Sequence, residues 1–419
     1  MPPASPLTRW YLAFAAFAAG LALVSSQPIE RCWGTWAAIG YAAAAAVTTA
    51  APHRRATALG CAAAGATVAP LTWQTFAGLP SRAGEGPLTV VAQAGRELLR
   101  HGTPYLPAGL NHVLAYDPYE PLMTVFGLPN AAGLAGWPAN PRLWLTAAAA
   151  PCVYLAFRLP AAPQRRALDS TALRNSALAL ASPILSLPLA TGGSDLPVIA
   201  LLCAAVALTA PAGSSSRRTT LAALAAGAAC ALKAIAWPAV PVIAAMLAAS
   251  QGRRTGARFA ATAVLAGVAA MLVAAPAGLL APDATAANAV LFPLGLTRHR
   301  TPAASPLPGH LLAAAGPAGQ WGALALLAVA ALAFARWLAV RSPRDTRAAT
   351  VRLAVALTVA CTLAPAARWG YYGYPLALLG WLWLSRRAAS CSYSSERRVA
   401  TPSASSVCAA GVGVAVAAD

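Results

Sequence analysis

Charge is scarce in this chain, and acid is the scarcer sign. Only 11 of its 419 residues are Asp or Glu and 10% are charged, against 58% hydrophobic and a mean hydropathy of +0.60. That shortage excludes an ordinary water-soluble surface. Lysine is nearly missing: among 30 basic residues Lys233 stands alone beside arginines, a compositional habit that carries no mechanism. The eight cysteines form no C-x-x-C pair and no Cys/His cluster, so no zinc site is expected. Neither G-x-G-x-x-G nor a Walker glycine loop is present, which leaves nucleotide-fold chemistry without its fingerprint. No period of 20–50 residues recurs, which weighs against a transporter built from repeats.

What the chain does have is apolar runs. A helical crossing needs about 20 mostly apolar residues. Such runs fall at 11–27, 35–52, 57–77, 143–159, 171–190, 198–212, 219–250, 259–280, 321–340, 351–366 and 376–384. The run 219–250 is too long for one crossing and is basic at both ends, so it reads as a hairpin of short helices turning near Trp237 and Pro238. A net charge of +19 in a soluble protein would suggest nucleic acid. Here the arginines sit between apolar runs, at 54–55, 165–166, 217–218, 253–254, 341–347 and 386–387. With the N-terminus inside, all of these clusters fall on one side of the membrane, as the positive-inside rule demands. The expected fold is therefore an all-α polytopic integral membrane protein with about twelve transmembrane helices, both termini cytoplasmic, and no nucleic-acid partner. The start, MPPASPLTRW, lacks a small-residue cleavage site and reads as a retained first span.

Two polar segments then remain outside, 78–142 and 282–310. The first holds four of the 11 acids: Glu85, Glu97, Asp117 and Glu120, among Tyr105, Tyr116 and Tyr119. Residues 87–101 place Leu88, Val91, Leu98 and Leu99 near one face, with Gln93, Arg96, Glu97 and Arg100 toward another. The pattern predicts an amphipathic helix in the interface plane, with Glu97 and Arg100 in pairing distance. Glu85, in a Gly-Glu-Gly-Pro turn, reads equally as an exposed loop acid or a site acid. Asp117 and Glu120 stand in YDPYEPL, stiffened by two prolines: they are positioned acids, or Asp117 closes an Asx-turn. Asp195, in TGGSDLP, caps the next helix or faces a cavity. Lys233 lies in an apolar run, where an ionisable group is a functional candidate ahead of a snorkelling one. In the second segment Arg298, His299, Arg300 and His310 suit a phosphate. The tyrosines of RWGYYGYP read as an interfacial aromatic belt.

The set of motifs resembles the C-type glycosyltransferases that use a polyprenyl-phosphate sugar. It is most similar to glycosyltransferase family 87, the polyprenyl-phospho-mannose-dependent α-mannosyltransferases of actinobacteria. The pieces that carry the resemblance are V-V-x(5)-E-L-L-R-H-G-T-P-Y from Val90, Y-D-P-Y-x-P from Tyr116 and G-G-S-D-L-P from Gly192. L-K-x(3)-W-P from Leu232 and L-F-P-L-G-L through S-P-L-P-G-H from Leu291 complete the set. The resemblance implies a GT-C-like catalytic domain over 57–387 with its site between the two outer loops. An N-terminal hairpin at 1–56 and a disordered cytoplasmic tail at 388–419 lie beside it. It implies transfer of a hexose, mannose in the first instance, from the polyprenyl-phosphate donor to a glycolipid or glycan acceptor. The reaction would take place on the extracytoplasmic side of a bacterial plasma membrane. An outer-loop acid is the implied base: Glu85, two residues ahead of the family's position, with Asp117 and Glu120 as alternatives. Lys233, Arg298, His299, Arg300 and His310 are implied for the donor phosphate, and Asp195, Tyr116 and Tyr119 for the cavity. No cofactor is required and a metal ion is optional. A lipid-linked-sugar flippase and a non-catalytic assembly partner remain as other readings.

Overall fold

The computed structural model describes residues 5–76, 86–106, 113–160, 169–210 and 215–400. Those residues are all-helical, with no strand; one isolated bridge joins Ala304 to Ala367. Five helices are long and apolar enough to cross a membrane.

Helices α1 (Pro6–Val24) and α2 (Pro28–Ala50) form the expected first hairpin, each opened by a proline at its first position, where no helical N–H is lost. Gly34 packs on the backbone of Ala18 and Ala22 in α1, and a Cβ there would meet the Ala18 carbonyl at 2.6 Å. The third apolar run is α3 (Arg55–Ala63) and α4 (Ala69–Phe76), joined through a π turn at Ala64–Val68. Gly65 in that turn touches Gly40 of α2 backbone to backbone. The segment expected to form an amphipathic helix is α5 (Gly86–His101), closed by Gly102 at φ +70°. A 3-10 turn (Pro121–Gly127) and the short α6 (Leu128–Ala131) lead to α7 (Pro141–Arg158).

The run 171–190 is two helices, α8 (Ser170–Leu180) and α9 (Pro183–Thr191), because Ser182-Pro183 restarts the chain. Helix α10 (Asp195–Leu208) is the centre of the molecule. It is buried on every face and packs against α7 and α11 (Ser216–Leu232). Its 14 residues give about 21 Å, less than a bilayer core, so protein rather than lipid surrounds it.

The run 219–250 breaks, as expected, into α11 and α12 (Ala239–Gln251). The break opens at Lys233, whose backbone is extended (φ −160°, ψ 134°), ahead of Trp237-Pro238. Helix α13 (Arg253–Ala274) packs along both, with Gly227 against Ala263 and Gly267, and Gly256 against Ala244 and Ala248.

The second polar segment holds α14 (Pro282–Thr285), a π turn (Ala286–Leu291) and α15 (Pro308–Ala314). Helices α16 (Pro317–Val340), α17 (Thr346–Leu363) and α18 (Gly373–Ala400) finish the bundle. Helix α16 buries only Ala323 and Leu338, so the rest of its apolar surface is left for lipid. Helix α18 runs through Ala400, past the boundary at 387 where a disordered tail was expected.

Candidate functional site

Three helix interruptions meet at one end of the bundle. The α9–α10 turn is made by Gly192, left-handed at φ +75°, and it sets Asp195 at the first position of α10. The α11–α12 break presents Lys233, and the α17–α18 turn presents Tyr371 and Tyr374. The Lys233 ammonium forms an ion pair with Asp195 Oδ1, and the Tyr374 hydroxyl donates to the same oxygen at 2.6 Å. Lys233 Nζ lies 4.7 Å from the Tyr371 ring centroid and 5.5 Å from that of Tyr119. Helix dipoles support the pair: the carboxylate sits at the N-terminus of α10 and the ammonium at the C-terminus of α11. The side chains keep 18% and 12% of their exposure, so the pair is covered but not sealed.

Both residues were named from the sequence, and two alternatives are settled. Asp195 does not cap α10, since its carboxylate is held by Lys233 and Tyr374. Lys233 does not snorkel away from the protein; it turns into this cluster. The aromatic-belt expectation for RWGYYGYP is corrected as well. Tyr371 faces Lys233, Tyr374 is fully buried on Asp195, and Tyr372 shares a 2.7 Å hydrogen bond with Thr362.

The first polar segment closes over this cluster. The Tyr119 N–H donates to Asp117 Oδ1 at 3.0 Å, which is the Asx-turn reading of Asp117. The Asp117 N–H donates to Asn288 Oδ1 at 2.9 Å, and Asn288 Nδ2 donates to the Leu106 carbonyl at 3.0 Å. Asn288, fully buried in the π turn, thus ties two stretches of the first polar segment to the second. The Tyr105 hydroxyl donates to the Tyr119 carbonyl at 2.9 Å. The Glu120 N–H donates to the Leu232 carbonyl at 3.3 Å, next to Lys233, which sets the loop on the open end of α11. Beyond Glu120 the 3-10 turn meets α5 through glycine: a Cβ on Gly127 would stand 2.0 Å from the Val91 carbonyl.

The two acids differ. Asp117 is buried, and that burial, with Glu120 nearby, pushes its carboxyl up to about 8 although the Tyr119 N–H pulls the other way. Glu120 is half-buried, and burial pushes it up to about 7. Its carboxylate has no hydrogen-bond or ion-pair partner among the described residues. Glu85 lies outside the described residues. In α5 Glu97 pairs with His101 at 3.4 Å rather than with Arg100, and Arg96 donates to Asn130 at 2.7 Å.

The expected phosphate residues divide. Tyr116 stacks on Phe292 at 4.7 Å and lies 6.3 Å from the His299 ring, so the first loop and the 298–300 cluster are neighbours. His299 Nε2 is buried and has no hydrogen-bond partner among the described residues. Arg298 and Arg300 flank it, exposed. His310 instead has Nδ1 3.0 Å from the Pro365 carbonyl and fastens α15 to the α17–α18 turn, where Ser305 N–H also donates to Ala367 O at 3.0 Å. That is a structural contact. No group of three or more His, Cys, Asp or Glu placed to hold a metal occurs among the described residues.

No family model matches this chain, and no curated protein or solved structure shows significant similarity to it.

Sequence reasoning missed Asn288, and it misread Tyr371 and Tyr374. An asparagine in an apolar, alanine-rich turn was the available signal for the first; for the tyrosines none existed short of knowing what they faced.

Proposed function

We propose that the chain is a membrane glycosyltransferase that moves a hexose from a polyprenyl-phosphate donor to a lipid or glycan hydroxyl. The observation that carries this reading is Glu120. It is an unpartnered carboxylate with its affinity for a proton raised toward neutrality, fixed by its own backbone beside Lys233. A general base works best with a pKa near the working pH. Support also comes from the neighbouring cations. Arg298 and Arg300 are exposed, and His299 has an unused ring nitrogen, beside the loop that carries Glu120.

In the reaction the acceptor oxygen forms a bond to the anomeric carbon as the bond from that carbon to the phosphate oxygen breaks. The acceptor proton goes to Glu120, and the electron pair of the broken bond leaves on the polyprenyl phosphate. Lys233 and the 298–300 cluster stabilise the charge on that phosphate in a site with little water. Asp117, spent on its own turn, shapes the loop, while Tyr116 stacks on Phe292 and Tyr119 packs beside Lys233. The same reading places about twelve crossings in the membrane, with 78–142 and 282–310 outside and both termini in the cytoplasm. The observations that support it are the shared end of the three helix interruptions and the arginine clusters, which suit the cytoplasmic side.

The test is transfer of label from radiolabelled polyprenyl-phospho-mannose to membrane lipid extract by purified protein. Glu120→Gln should lower turnover by roughly 10²–10⁴-fold and abolish the rise of rate through about pH 7. Full activity of Glu120→Gln with loss in Glu85→Gln moves the base to Glu85. No transfer by the unaltered protein, with the donor bound and then carried across liposomes, would instead favour the flippase.

A further inference from the structure

Lys233 carries three N–H donors, of which one is committed to Asp195; no other hydrogen bond from Nζ exists among the described residues. The ammonium otherwise looks onto the faces of Tyr119 and Tyr371. Asp195 has a second partner in Tyr374, so its carboxylate keeps a hydrogen bond even when Lys233 turns away. The pair sits where two helix ends meet and retains some exposure. A buried cation left with no anion is costly, so a site built to bind an anion through one lysine needs something there while it is empty.

We propose that Asp195 is an internal stand-in for the phosphate of the substrate: its carboxylate neutralises Lys233 in the empty protein and yields the ammonium when a phosphate arrives. The proposal rests on the transferase reading for the identity of the phosphate, and it adds a regulatory consequence that reading does not contain. The Asp195 carboxylate competes with the ligand, so removing its charge tightens binding. A purely structural Asp195 gives the opposite sign, because the disturbed turn would no longer present Lys233. Tyr374 holds the displaced carboxylate and sets how readily the exchange occurs.

The experiment measures binding of farnesyl phosphate to the full-length protein in detergent, with farnesol and inorganic phosphate as separate arms. Asp195→Asn should bind farnesyl phosphate roughly ten- to a hundredfold more tightly than the unaltered protein, the value of one charge-assisted contact. The double variant Asp195→Asn/Lys233→Met should lose that gain. Farnesol should not respond to either change. A gain for inorganic phosphate of the same size assigns the site to free phosphate; a gain confined to farnesyl phosphate assigns it to a lipid headgroup. If Asp195→Asn does not survive purification empty, purification with farnesyl phosphate should restore its yield where farnesol does not. Equal rescue by both, or no rescue, overturns the stand-in. Weaker binding in Asp195→Asn overturns it while leaving the phosphate reading in place. If the unaltered protein binds no farnesyl phosphate, both fall.

Discussion

At the arginine-rich end of the bundle, Arg54, Arg55, Arg253, Arg254, Arg341 and Arg344 stand exposed, mostly basic charge dispersed over several turns with Asp345 among them. At the other end, Asp195 and Lys233 are paired beneath the segment that carries Asp117 and Glu120, both signs present and largely covered. One arginine at the first end also turns inward to backbone. Arg218 donates to the Leu159 carbonyl at 2.9 Å and the Ala207 carbonyl at 3.5 Å, capping α7 and α10 together. Dispersed like charge orients a chain in a bilayer but holds nothing in a particular place. Paired and buried charge fixes geometry, and each member becomes costly to alter. The contrast separates exposed arginines from the covered pair of the candidate site more sharply than composition does.

The largest way to break this comparison is to show that the two ends share one side of the membrane. In a background without native cysteines, single cysteines at Ala135 and Ser216, both exposed, should differ completely. The first should react with an impermeant thiol reagent in intact cells, and the second only after lysis. Equal labelling abolishes the distinction. Next in size, Lys233→Met leaves Asp195 with its Tyr374 hydrogen bond but no cation, and unfolding in detergent should show a loss of about 3–5 kcal/mol. Lys233→Met with Asp195→Asn should lose much less, since removing both charges leaves neither uncompensated.

A smaller effect should appear as a pH dependence. Asp117 has a folded-state value of about 8 against an ordinary 3.8, so its neutral form is the one the fold favours. The stability it contributes is fully present below about pH 4 and is lost as pH rises through about 8. Asp117→Asn should flatten the fall in melting temperature across that window. Smallest of all, Arg341→Gln at the opposite end should change stability by no more than about 0.5 kcal/mol at any pH. A larger loss would mean that exposed arginine has a partner of its own.

Much of the scaffold was legible because hydropathy is a local property. Each apolar run became helix, and the break in 219–250 followed from its length and its two basic ends. The α8–α9 break was missed because the residues around it, 177–190, are apolar apart from two serines, although Pro183 and Pro188 stand there. Lys233 and Asp195 were each visible as charges out of place, but not as partners, since 38 residues separate them. Tyr374 reaches Asp195 across 179 residues, so nothing near it in the sequence distinguishes it from an interfacial tyrosine. Glu85 was favoured as the base on resemblance alone. Glu120 became the stronger candidate only when Asp117 proved to be occupied in its own turn.

The buried Asn288 has a consequence for synthesis. It lies 171 residues after Asp117, to which it is bonded. At roughly 5–20 residues per second, Asp117 leaves the ribosome about 9–34 seconds before its clasp has been made. During that interval several later helices must insert while the Asp117 loop waits without its partner. A nascent chain halted before residue 282 should be cut by protease within the first polar segment. One released after residue 310 should resist at the same bonds. The loop that carries the candidate base is thus among the last parts of the molecule to be set in place, although it is among the first to be translated.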